Sequence, residues 1–370
     1  MNKADLIFAA GDASADILYA SGFHAPDPFI YFACLQEQAV IVSALEQDRA
    51  EKECKTNIAI FSRNNFSKDE KAGNLDVICS LAKSRNISKF RVPHDFPLAL
   101  ADALRKRGLV VIPEKEIFYP QRQYKYNDEI IHISVASRVA EAGMRRGTDI
   151  IKEASVNKDN ILEWNGKILS SEILQAEINI CMIRRGGFSD STIAACGSHA
   201  AEPRNTGSGP IFANKTIIMD IFPRIRKTGY WGDLSRTVVK GKAPNIVKKA
   251  YKAVFEAREY AKTLIKPGAI PAEIHQAAKE LMEKQGFRTG RKNGHNFGFF
   301  HGLGHSVGLD IHENPSLNPK NFEPLKGGEV ITVEPGLYYP EWGGVRLEDI
   351  ITVTKNGCDC LTQMENILEI

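Results

Sequence analysis

Four strand-like runs in the second half of the chain each carry a carboxylate among apolar neighbours: TIIMDIF (216–222), YWGDLSRTVV (230–239), EVITVEPGLYY (329–339) and GVRLEDIITVT (344–354). A carboxylate inside such a strand is costly unless something neutralises it, which restricts how the four runs can pack. The basic turn PRIRKTG joins the first two runs into a predicted hairpin with Asp220 and Asp233 on its arms. PEWGG joins the other two, with Glu334 and Glu348 on the arms. Side chains on paired arms face each other across the ladder. Carboxylates so placed repel and raise each other's pKa unless cations intervene.

Between the hairpins lies FFHGLGHSVGLDIHENP, Phe299 to Pro315, a Gly-rich stretch holding His301, His305 and His312. An acidic residue near a strand end is ordinarily solvated or capping, and one His in a loop is seldom a ligand. Four carboxylates and the imidazole of His305 in this order are a ligand set for two divalent metals. Oxygen-rich donors with one nitrogen suit Mn²⁺, with Co²⁺, Fe²⁺ or Zn²⁺ as alternatives. Two such ions can activate a hydroxide and stabilise a tetrahedral oxyanion.

At 370 residues the chain is long for one domain. The polar segment PQRQYKYNDE (120–129) marks the expected boundary. Residues 1–125 alternate β-rich runs with helical spacing, which predicts a smaller α/β domain with a mixed sheet. Residues 126–370 predict an α+β domain. Helices are expected over 129–144, from Ser171 as N-cap, over 246–265 and over 271–285, flanking antiparallel hairpins. A net charge of +3 gives no hint of nucleic acid or an anionic membrane surface. No apolar run reaches the roughly 20 residues of a membrane span. The N-terminus is a poor signal peptide, so a cytoplasmic location is expected. Seven scattered cysteines without a CxxC pair argue against disulfides and structural zinc.

The blocks MDIFPRIRKTGYWGDLSRT, HGLGHSVGLDIHENP, TVEPGLYY and GGVRLEDIITVT resemble the signatures of the creatinase/methionine-aminopeptidase superfamily, the pita-bread metallopeptidases. Within it the chain is most similar to Xaa-Pro aminopeptidases and Xaa-Pro dipeptidases (prolidases). The resemblance covers about 125–370, with a looser likeness over 1–125. It implies a pita-bread catalytic domain and hydrolysis of the Xaa-Pro bond by a metal-bridging hydroxide. It also implies small peptide substrates with proline second, and a homodimer. Asp220 would chelate one metal, Asp233 and Glu348 would bridge both, and His305 and Glu334 would complete the second. Glu334 would take a proton from the bridging water. His312 would hold the scissile carbonyl, His301 would line the proline-side pocket, and Arg346 would support the bridging carboxylate. One departure stands out. Where such enzymes carry a His in a segment like AEPHNTGSG, this chain reads AEPRNTGSG, with Arg204. Arg204 is permanently charged and longer. It would clamp a substrate carboxylate, repel a free amino terminus, or mark a pita-bread binding protein that keeps its metals but has weakened activity. His199 is a candidate to stand in for the missing imidazole. Phe297, Phe299 and Phe300 would line a proline pocket or pack in the core.

Overall fold

A computed structural model describes residues 2–35, 37–67, 69, 72–115 and 117–370. The chain divides into two compact units, Met1–Arg122 and Gln123–Ile370.

The first unit is built on a six-stranded sheet. Its spatial order is Ala59–Ser62, Gln38–Val42, Phe29–Ala33, Asn2–Ala9, Ile87–Val92 and Val110–Pro113. The three strands from Gln38–Val42 to Asn2–Ala9 pair antiparallel, while the flanking pairs are parallel, so the sheet is mixed. Strand residues alternate between two apolar layers. Leu6, Ile30 and Ile41 pack on one face with the Asn74–Ser84 helix. Ile7, Tyr31 and Val40 pack on the other with Ile17 and Ala20 of the Ala15–Ser21 helix. This is the alternation a two-faced sheet requires.

In the second unit each of two sheets is covered by a pair of helices. The Asn127–Glu153 and Ser171–Ile183 helices share a core with the sheet ordered Ile193–Cys196, Ile217–Ile221, Leu234–Val238. The Asn245–Leu264 and Pro271–Lys284 helices do the same for a five-stranded sheet containing Glu313–Leu317, Gly304–Ser306, Val330–Val333 and Asp349–Val353. The first helix runs past the expected Met144 to Glu153, because Ile150 and Ile151 prolong its buried stripe. The cap of the next is Ser170, not Ser171. The Ser170 hydroxyl accepts the Ile173 amide at 3.3 Å, while Ser171 is buried. Among the described residues no helix is long and apolar enough to cross a membrane.

Both predicted hairpins form, each with a departure that shapes the site. In the first, Asp220 stands opposite Ser235, not Asp233. Asp233 lies just ahead of the Leu234–Val238 strand, two residues before Ser235, so both carboxylates reach the same face by the two-residue pleat. The second hairpin is two ladders rather than one. Val330–Val333 pairs with Asp349–Val353, and Gly336–Tyr339 pairs with Gly343–Arg346. Glu334 and Glu348 fall in the break between them. Each amide bonds to a third segment instead, Glu334 N–H to Leu303 O at 2.8 Å and Glu348 N–H to Ser235 O at 3.0 Å. The break draws the His305 strand and the Asp233 arm onto the two glutamates.

Candidate metal centre

The nine residues singled out from the sequence, Asp220, Asp233, Glu334, Glu348, His301, His305, His312, Arg204 and Arg346, line one cavity of about 590 Å³. His199, Phe297, Phe299 and Phe300 do not line it. Phe299 is a core residue, Phe297 packs on Tyr339, and Phe300 packs on Tyr338.

Close packing of backbones brings together the strands that carry the expected ligands. A Cβ on Gly304, beside His305, would fall 1.9 Å from Thr332 O. A Cβ on Gly232, beside Asp233, would fall 2.5 Å from the Ala136 carbonyl carbon of the first helix. Only glycine fits at either position.

Asp233, His305 and Glu348 each offer a ligand atom within 4.8 Å of the others. His305 Nε2 is 3.4 Å from Glu334 Oε1 and 3.7 Å from Asp233 Oδ2. Burial, and then Asp220 and Glu334, push Asp233 well above the ordinary carboxylate range. Burial, and then Asp233, do the same to Glu348. Burial raises Glu334 to about 7, with Asp220 adding to the rise and Arg346 opposing it. Asp220 Oδ2 accepts from Arg346 Nη2 at 2.7 Å, while its buried Oδ1 has no hydrogen-bond partner. Crowded carboxylates whose charged form burial disfavours, an adjacent imidazole and an orphaned acidic oxygen suit divalent cations.

Arg346 differs from expectation. Its hydrogen bonds go to Asp220, Ser235 Oγ, Tyr338 OH and Pro203 O, so by hydrogen bonding it braces Asp220 and not Glu348, the carboxylate expected to bridge. His301 differs too. Its Nδ1–H donates to Gly302 O at 2.7 Å, and its Nε2 accepts from Tyr338 OH at 3.0 Å. Burial and the charge of Arg346 lower its pKa to about 3. With both nitrogens engaged, His301 lines the cavity as part of a network with Tyr338. Tyr338, which links His301 to Arg346, was missed in the sequence. It lies four residues beyond Glu334 in TVEPGLYY, across the break between the two ladders, so no single strand period links the two.

His312 stands nearer solvent, its ring 4.4 Å from that of His305. Loss of water around it, then His305 and Arg204, lower its pKa. Arg204 is exposed, and its charge also acts on His301, His305 and Glu334. Its guanidinium has no hydrogen-bond or ion-pair partner among the described residues. Ile193, Phe222 and Ile311 supply apolar wall.

The sequence profile of Metallopeptidase family M24 matches residues 132–355. An uncharacterised peptidase of Staphylococcus epidermidis is 32% identical over 245 residues, 66% of this chain and 64% of that protein, so the chain spans less than two thirds of that relative. The Xaa-Pro dipeptidase of Pyrococcus furiosus is 26% identical over 372 aligned positions, covering 99% of this chain and 96% of that one. The crystal structure of the prolidase from Pyrococcus horikoshii OT3 matches with a TM-score of 0.80 at 25% identity, over 99% of this chain and 95% of that one. The likeness bears out the pita-bread fold behind a smaller N-terminal α/β unit. With the profile covering more than half of the sequence, the chain belongs to metallopeptidase family M24.

Proposed function

We propose that this protein hydrolyses the Xaa-Pro bond of small peptides, using two divalent ions held by Asp220, Asp233, His305, Glu334 and Glu348. The observation that carries this is the buried cluster itself. Asp233, Glu334 and Glu348 all have raised pKa values, beside His305 and the orphaned Asp220 oxygen. Asp220 would serve one ion, His305 and Glu334 the other, and Asp233 and Glu348 would serve both. Mn²⁺ is the proposed ion. Bound there, the pair supplies Lewis acidity and neutralises the carboxylates.

The protein's own groups do the rest. Glu334 accepts the proton of the attacking water. His312, kept neutral, donates an N–H to the scissile carbonyl oxygen. Arg346 holds Asp220 in place with a charge-assisted bond. Arg204, unpaired at the cavity wall, receives the substrate's free carboxylate, which favours dipeptides. The name of the whole-length Pyrococcus furiosus relative, an Xaa-Pro dipeptidase, supports this substrate class. The homodimer expected from the resemblance belongs to the same proposal, and sedimentation tests it.

The competing reading is a binding protein that retains metals without turnover, and Arg204 in place of a His is the observation in its favour. The deciding experiment offers Mn²⁺-loaded protein an Xaa-Pro dipeptide and an Xaa-Pro-Xaa tripeptide, each with a chelator control. Chelator-sensitive cleavage of the dipeptide alone supports a prolidase with Arg204 as clamp. Cleavage of the tripeptide before proline supports an aminopeptidase. No cleavage of either by metal-loaded protein supports the binding protein.

A further inference from the structure

Lys125 takes no part in the chemistry assigned to the cavity, yet its side chain is only 1% exposed. Its backbone N–H bonds to Gly328 O at 2.8 Å, just ahead of the Asn127–Glu153 helix. Its Nζ donates to Ser306 Oγ and to Glu313 Oε2, both at 2.9 Å. Ser306 follows His305, and Glu313 follows His312. The two acceptors are register partners across the Gly304–Ser306 and Glu313–Leu317 ladder, where a bulge interrupts the pairing between His305 and Ser306. One ammonium therefore ties together the residues that follow both imidazoles.

The intervening turn is held from the same point. Glu313 Oε1 accepts the amides of Leu309 and Asp310, each at 3.1 Å. Trp231, two residues before Asp233, donates its amide to Gly308 O at 2.9 Å and its indole N–H to Leu309 O at 3.0 Å. The outcome is a fixed pair of rings, 4.4 Å apart and inclined at 68°.

Stability alone explains this arrangement poorly. Apolar side chains of the same shape fill such a space without the cost of taking two charges out of water. What a buried charge pair adds is direction, and a bulge is a place where direction is otherwise loosely set. We propose that Lys125 is a positioning residue: clamped between Ser306 and Glu313, its ammonium fixes the spacing of His305 and His312, and so the reach of His312 to the scissile carbonyl. The catalytic half of this statement rests on the peptidase reading of the cavity.

The test is the double variant Lys125→Met/Glu313→Gln, which removes both charges and keeps both shapes. Ser306→Ala, which deletes a single hydroxyl, is the second variant and covers the case in which the double variant does not fold. Two quantities are read. The first is the ¹H–¹⁵N imidazole spectrum of His305 and His312 in the metal-free protein. The second is the division between kcat and KM on an Xaa-Pro dipeptide. The expected result is shifted or broadened ring signals, with kcat down at least about tenfold and KM within about threefold. Wild-type ring spectra in the folded variants would overturn the proposal, whatever the melting temperature does. If the wild-type protein cleaves neither peptide, the peptidase reading fails, while the ring spectra still decide the positioning role.

Discussion

Arg204 and Arg346 share a cavity and a charge but not a fate. Arg346 is buried and bonded to four partners, whereas Arg204 is exposed. Removing Arg204 should therefore act directly on substrate, and on His312 and Glu334 only through the loss of its charge. Arg204→Met is expected to raise KM for an Xaa-Pro dipeptide about tenfold, near 1.4 kcal/mol, with kcat almost unchanged. Amidating the dipeptide's carboxylate should erase the difference between variant and wild type; an undiminished difference would remove the clamp. A second residue-scale case is His275, 5% exposed, its ring tilted against that of Phe299 and with Nδ1 unbonded. Burial, then Lys279, lower its pKa from 6.5 to about 4. Below pH 6.5 the unfolded chain takes up this proton and the folded one does not. Stability therefore falls as pH drops from 6.5 towards 4, by about 3 kcal/mol from this group. His275→Leu should flatten that part of the urea-unfolding profile, and equal pH slopes in both proteins would rule the effect out.

At the scale of elements, the site is a set of backbones pressed together. Gly232 lets the Asp233 arm meet the first helix, where a Cβ would strike Ala136 and Ser137 main-chain atoms that cannot rotate away. Gly232→Ala is expected to cost about 1–3 kcal/mol and to weaken Mn²⁺ binding together with it. Calorimetry on the variant reads both, and an unchanged metal affinity would show that the arm is free to relax. This scale also separates what was legible from what was not. The four carboxylates were legible because each interrupts an apolar run, and the hairpins because basic or Gly-rich turns join those runs. The register was not. The long turn after Ile221 leaves room for Asp220 to face Ser235, and no local pattern counts that slip. Nor was the ladder break at Glu334 and Glu348, which depends on Leu303 and Ser235 drawing away two amides. The bracing of Asp220 by Arg346 depends on contacts between residues far apart in sequence, which periodicity does not report. Single-turn signals misled by small amounts, as with Ser170 for Ser171, because adjacent hydroxyls compete for one cap.

For the molecule as a whole, a cation that binds only the folded cluster adds its binding free energy to stability. Mn²⁺ at about a hundred times its dissociation constant should contribute about 2.7 kcal/mol and raise Tm, and a chelator should reverse the gain. No rise for the wild type alongside a rise for Asp220→Asn would place the ion elsewhere. The proposed ligands come from separate segments between Asp220 and Glu348, two of them at a seam between ladders. That dispersal has a kinetic meaning. Until both sheets have closed, the chain offers a cation nothing better than isolated carboxylates, so metal cannot template an early step. In stopped-flow experiments Mn²⁺ should leave the refolding limb of the chevron where it is and slow only the unfolding limb. The ion would act as a latch on a finished structure and not as its nucleus.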